Sequence, residues 1–208
     1  MEAHVLQPNL ERQAMIVERL WVTSPPKISE AQNEQEAAIM RAAQTDLNRF
    51  APLYERYCAR IYAYCLRRVG DEREAEDLTS LIFTRALQGI SSYQGGMVSA
   101  WLFRIAHNVV ANHHRARTRE LPLEDAEAVR ADGEPAERVT HDEETAAVSR
   151  LVDDLPAAQR DLLALRLNAG LTSDQIGALL GKSAGAVRVE RHRVIRHLRT
   201  RYEQEEGR

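Results

Sequence analysis

Arg188, Arg191, His192, Arg193, Arg196 and Arg199 fall within twelve consecutive residues of the stretch GALLGKSAGAVRVERHRVIRHLRTR, residues 177–201. A guanidinium is planar, permanently charged and presents a rigid fork of donors. In the major groove it meets guanine O6 and N7 with two bonds at once, and elsewhere it grips phosphate. Glu190 lies among these cations and has two uses: it can accept from a cytosine amino group or pair with a neighbouring arginine. A second set occupies SAWLFRIAHNVVANHHRARTR, residues 99–119, where Asn108, Asn112 and His113 share a face with Arg104 and Arg115. The loop before it, SSYQGG, carries Tyr93 and Gln94. Aromatic faces stack on unpaired bases while amides and guanidiniums bond their edges. Tyr93 either does this or is pinned to its own domain; Trp101 and Phe103 read as core.

The overall charge of −3 hides this segregation. Residues 97–119 hold four arginines and no acid, and residues 182–201 hold seven Lys/Arg and one acid. Between them, residues 120–154 hold twelve acids and three arginines, a net of −9. Cations concentrated in this way repel one another unless a polyanion is near. Other chemistry is not supported. There are no paired carboxylates in a plausible pocket, no glycine loop that cradles phosphate, and no His/Cys cluster with zinc spacing. No metal or cofactor is expected. Cys58 and Cys65 are seven apart, on one helical face and too distant for a disulfide, so they read as buried thiols in a reducing compartment. No signal peptide and no apolar run of membrane-spanning length is present, so the expected location is the cytoplasm, without membrane insertion.

The elements that must position the two sets are helices. Phe50, Leu53, Tyr54, Tyr57, Ile61 and Tyr64 repeat at helical spacing, with Pro52 near the start and Gly70 at the end. Asp71 can cap the next helix, whose stripe is Ala75, Leu78, Ile82 and Ala86 and whose stop is Gly89. A third helix starts at Ser99, with Leu102, Ile105, Ala106 and Val109 inward. Leu151, Leu155, Leu162, Leu163, Leu165 and Leu167 supply a second core. Thr172 with Gln175 forms a capping box. Gly181 ends that helix in the left-handed conformation, Ser183 caps the last one, and Val187, Val194 and Leu198 face inward. Gly177, Ala178, Gly185 and Ala186 are small enough to let the two helices cross closely. This is a helix-turn-helix, whose second helix enters the major groove. No segment alternates with period two, so the expected fold is all-α: two small helical domains joined by an acidic linker. The expected boundaries are an N-terminal extension over 1–33, a first domain over 34–119, the linker over 120–147 and a second domain over 148–204. The extension is either flexible or a docking or self-inhibitory segment.

Together, DLNRFAPLYERYCARIYAYCLRRVGDEREAEDLTSLIFTRAL, WLFRIAHNVVANHHR and LPAAQRDLLALRLNAGLTSDQIGALLGKSAGAVRVERHRVIRHLR resemble a bacterial sigma factor of the extracytoplasmic-function group, with the second and fourth sigma domains only. The resemblance implies a promoter-specificity subunit without catalysis of its own. Asp77, Leu78, Leu81, Thr84, Arg85 and Gln88 would dock on the clamp helices of the largest RNA polymerase subunit. Tyr93, Gln94, Arg104, Asn108, Asn112, His113 and Arg115 would read and hold the melted −10 element. Lys182, Ser183, Arg188, Val189, Arg191, His192, Arg193 and Arg196 would read the −35 element as duplex. The linker would thread near the polymerase active-site cleft, and an anti-sigma factor or appended segment would hold the factor inactive. Leu81 stands where the family often has an acid. The loop before Trp101 is one residue shorter than the common form, and Val189 and Glu190 replace small-polar and basic residues. The rival reading is a free-standing helix-turn-helix regulator with an N-terminal helical sensor domain.

Overall fold

The structure, a computed structural model, describes residues 29–120, 152 and 154–206. Residues 1–28 of the expected extension and nearly all of the acidic connection lie outside the described residues. Every element among the described residues is helical. They divide into two compact units.

The first unit begins with α1 (Glu30–Ala43), earlier than residue 34, because Ser29 Oγ accepts from Gln32 N at 3.1 Å and caps it. A 3₁₀ turn (Leu47–Phe50) leads into α2 (Ala51–Val69), with proline in its first turn and Gly70 at φ 76° closing it. Asp71 Oδ1 then accepts from Glu74 N at 2.8 Å to cap α3 (Glu72–Gln88). A second 3₁₀ turn (Ile90–Ser92) and a loop precede α4 (Val98–Glu120). Met40, Leu53, Tyr57, Ile61, Ile82, Leu102 and Phe103 are fully buried between these helices. Each such large side chain contributes about 1.5–3 kcal/mol by leaving water. Tyr54 departs from the expected stripe: it is exposed, and its ring stands edge-on to Phe83 with centroids 4.7 Å apart. Of the two thiols, which are both free, Cys65 is buried and Cys58 is partly exposed.

Among the described residues, one charge is buried in this unit. Glu36 of α1 accepts from Arg56 Nη1 at 2.8 Å and from the Tyr57 hydroxyl at 2.7 Å, both on α2. Burial and this carboxylate push the Tyr57 phenol well above its ordinary pKa. The hydroxyl therefore stays a donor, and the three groups staple α1 to α2.

In the second unit α5 (Ala157–Ala169) buries Leu162, Leu163, Ala164 and Leu165. The expected capping box is present: Thr172 Oγ1 accepts from Gln175 N, and Gln175 Oε1 accepts from Thr172 N, opening α6 (Ser173–Leu180). Gly181 has φ 67°, and its N–H and that of Lys182 both reach Gly177 O. Ser183 Oγ accepts from Ala186 N at 3.1 Å and caps α7 (Ala184–Glu206), which buries Val187, Val194 and Leu198. Of the four small residues expected at the crossing, only Gly177 is buried; Ala178, Gly185 and Ala186 are exposed. A Cβ on Gly177 would lie 2.5 Å from Lys182 O, so the turn itself occupies the space of the missing side chain.

Candidate nucleic-acid interface

In the second unit the buried stripe of α7 leaves Arg188, Val189, His192, Arg193, Arg196 and Arg199 outward and exposed, with Lys182 in the turn beside them. Ser183 is also exposed, but its hydroxyl is committed to the cap. Arg191 is partly buried. Burial, and then the charge of Arg191, hold the Arg166 guanidinium below its ordinary pKa. Glu190 takes the second of its two roles: Oε2 lies 3.5 Å from Arg193 Nη1, and Oε1 accepts from Gln159 Nε2 of α5 at 2.7 Å. The partner on α5 was invisible in the sequence.

In the first unit, Arg104, Asn108, Asn112 and Arg115 follow one another down a single exposed face of α4. Arg115 Nη2 donates to Asn112 Oδ1 at 2.6 Å, which fixes that amide with its NH₂ group free to donate. His113 is half-buried, and its Nε2 lies 3.2 Å from Glu74 Oε2; Arg117 Nη1 lies 3.6 Å from the same oxygen. Glu74 at the start of α3 is thus an acid beside the basic end of α4, and sequence spacing gave no sign of it.

Tyr93 is not on the surface. It is 4% exposed, edge-on to Trp101 with centroids 5.9 Å apart, and its hydroxyl donates to Gly96 O at 2.6 Å. Its carbonyl accepts from Gln44 Nε2 at 2.8 Å. The tyrosine shapes the loop from inside and has no free face for a base; Gln94 beside it is exposed. The tight turn over its hydroxyl uses Gly95 and Gly96, both at positive φ.

On α3, Asp77, Leu81, Thr84, Arg85 and Gln88 form an exposed face. Leu78 does not join them: it is buried against the core, one helical step out of phase. Leu81 is 41% exposed, an apolar group among polar neighbours.

Sigma-70 region 2 matches residues 53–120, and Sigma-70 region 4 matches residues 145–198. The chain is 33% identical over 165 residues to the ECF RNA polymerase sigma factor BldN of Streptomyces coelicolor, covering 77% of this chain and 62% of that protein. It is 35% identical to the ECF sigma factor ShbA of Streptomyces griseus, covering 74% of this chain and 83% of that one. The chain belongs to the ECF sigma factors. The match spans about three fifths of the length of BldN. Among solved structures, the sigma factor RpoE in complex with the anti-sigma factor NepR from Bartonella quintana shares the fold, with a TM-score of 0.59 and 22% identity over 73% of this chain and 94% of that one. In this sigma factor, the α4 face lies in the region 2 match and the α7 face in the region 4 match. Among the described residues, no helix is long and apolar enough to cross a membrane and no cluster could hold a metal ion.

Proposed function

We propose that this ECF sigma factor binds bacterial RNA polymerase core in the cytoplasm and gives it promoter specificity. The α7 face, through Lys182, Arg188, Val189, His192, Arg193 and Arg196, engages the −35 element as duplex. The α4 face, through Arg104, Asn108, Asn112 and Arg115, holds the melted −10 strand, with His113 at its end and Gln94 in the preceding loop. The exposed side of α3, from Asp77 to Gln88, docks on the clamp helices of the largest polymerase subunit. The polymerase forms the phosphodiester bonds; this chain contributes binding free energy that differs between promoters and between strand states.

The observation that carries this reading is the coexistence, in one chain, of a capped helix-turn-helix with outward arginines and a separate helical unit whose outward face sets two amides between two arginines. A groove reader needs the first and a single-strand holder needs the second. One duplex-binding repressor would need only the first. The RpoE relative is bound by an anti-sigma factor, and a protein inhibitor of that class is the expected negative partner here.

Run-off transcription with purified bacterial core polymerase tests the proposal. Product that appears only when the chain is added supports it. Tight promoter binding by the chain alone, with no transcript in the presence of core, would replace it with a free-standing regulator.

A further inference from the structure

We infer that Val189 reads the C5 methyl group of a thymine in the major groove, and that Glu190 is withheld from base readout. The inference rests on the duplex-reading role proposed for α7 and specifies what that helix recognises.

The first line of support is helical phase. At about 100° per residue, Val189 stands about 200° round the helix from Val187. Val187 is in the buried stripe with Val194 and Leu198. Val189 therefore occupies the middle of the face turned directly away from the core, and it is 54% exposed. Its neighbours on that face are the exposed His192, Arg193 and Arg196, with Arg188 on the flank. These cations suit the phosphates on either side of the groove, and the apolar group set among them then meets base edges.

The second line is room for approach. Gly185 lies one turn before Val189 on the same face and is exposed. A Cβ there would have only Ser183 Oγ near it, at 3.9 Å, so the glycine leaves the helix surface open toward solvent. A duplex can come close to the backbone at this turn, which brings the valine methyls to the groove floor.

The third line is chemistry. Valine has no donor or acceptor, so it cannot pair with the polar groups that guanine, cytosine and adenine present. Thymine alone adds a methyl group to the major-groove edge. The adjacent carboxylate stands about 300° round from Val187, beside the buried stripe, and is held on that flank by a residue of α5, away from the outward centre. Glu190 Oε1 is bonded to Gln159 Nε2 at 2.7 Å and Oε2 lies near Arg193.

The test uses the full chain with bacterial core polymerase. Duplexes are selected from a randomised −35 region. In the selected sequence each thymine is then replaced, one at a time, by deoxyuridine, which removes the methyl and nothing else. The expected result is one position at which the change weakens binding about fourfold, the worth of roughly one methyl-sized group moved out of water. Val189→Ala should weaken binding to the thymine duplex and abolish the further loss on deoxyuridine, whereas Val189→Thr, which retains one methyl, should keep part of it. Glu190→Gln should leave base preference unaltered. No uridine-sensitive position, or the same sensitivity in Val189→Ala, overturns the methyl contact. A changed preference at a cytosine in Glu190→Gln overturns the withholding of that carboxylate. Failure to select any duplex would instead refute the duplex-reading role itself, and the inference with it.

Discussion

Gly177→Ala should destabilise the helix-turn-helix even though alanine is the better helix former. Gly177 lies inside α6 and is buried. Its added Cβ would fall 2.5 Å from Lys182 O, 3.3 Å from Ala184 N and 3.4 Å from Ser183 C. All three neighbours are backbone, so no side-chain rotation relieves the clash. The turn cannot lift off freely either, because the N–H groups of Gly181 and Lys182 both bond Gly177 O. Relief must come from moving the start of α7 relative to α6. Replacing a helical glycine by alanine gains about 0.5–1 kcal/mol, and forcing a methyl into a packed site costs about 1–3 kcal/mol. The net expectation is a loss of up to about 2.5 kcal/mol, toward the upper end because the atoms in the way are backbone. Gly185→Ala is the internal control, because it adds the same methyl within α7 where the nearest atom is 3.9 Å away. It should stabilise by about 0.4–1 kcal/mol. Urea unfolding of the full chain, followed by far-ultraviolet circular dichroism, reads both. If the two glycines give the same sign, the turn does not occupy the space assigned to it, and the account of how α6 and α7 are set against each other is wrong.

Other perturbations probe the first unit. Arg56→Ala leaves the Glu36 carboxylate buried with only the Tyr57 hydroxyl. Because Arg56 itself is one-third exposed, the loss should be about 2–3 kcal/mol, below the range for a fully buried pair; urea unfolding measures it. Glu74→Gln removes the acid beside His113 and Arg117, and affinity of the polymerase complex for a melted −10 strand should rise by about 0.2–1 kcal/mol, less at high salt. Fork-junction binding at two salt concentrations checks this, and unchanged affinity would place both basic groups away from the DNA. A thiol reagent at neutral pH should modify Cys58 well before Cys65. Burial raises the Cys65 thiol to about 11 against a weaker opposing bond from Thr79, so almost no thiolate forms there at neutral pH. Equal labelling rates in the native protein would contradict that burial.

What could be read from the sequence was helical phase and punctuation. Thr172 and Gln175 signal a cap by their spacing, Gly181 and Ser183 by their positions in a short turn, and Val187, Val194 and Leu198 by their period. All of these are local regularities within one element or one turn. What escaped depended on partners in another helix. Tyr93 and an exposed stacking tyrosine look identical in a loop; the difference is Trp101, Gly96 and Gln44, and the last is 49 residues away. Leu78 lies in the inward stripe by its period and is buried, while Leu81, three residues on, is exposed; it is the family resemblance, which carries no helical phase, that puts both on the docking face. Among Gly177, Ala178, Gly185 and Ala186, composition alone marks all four as suited to close packing, while the path of the turn selects Gly177.

Glu190 shows the same limit at the site itself. Within α7 it is an acid among arginines, and its place in the sequence allows pairing with a nearby arginine as well as with a cytosine. Gln159, 31 residues earlier on α5, decides between them by donating to Oε1. That bond fixes the carboxylate on the flank of the helix and leaves Val189 as the uncharged group at its outward centre. The specificity of a recognition helix thus depends on which of its polar residues the supporting helices have already engaged, as well as on which residues it carries.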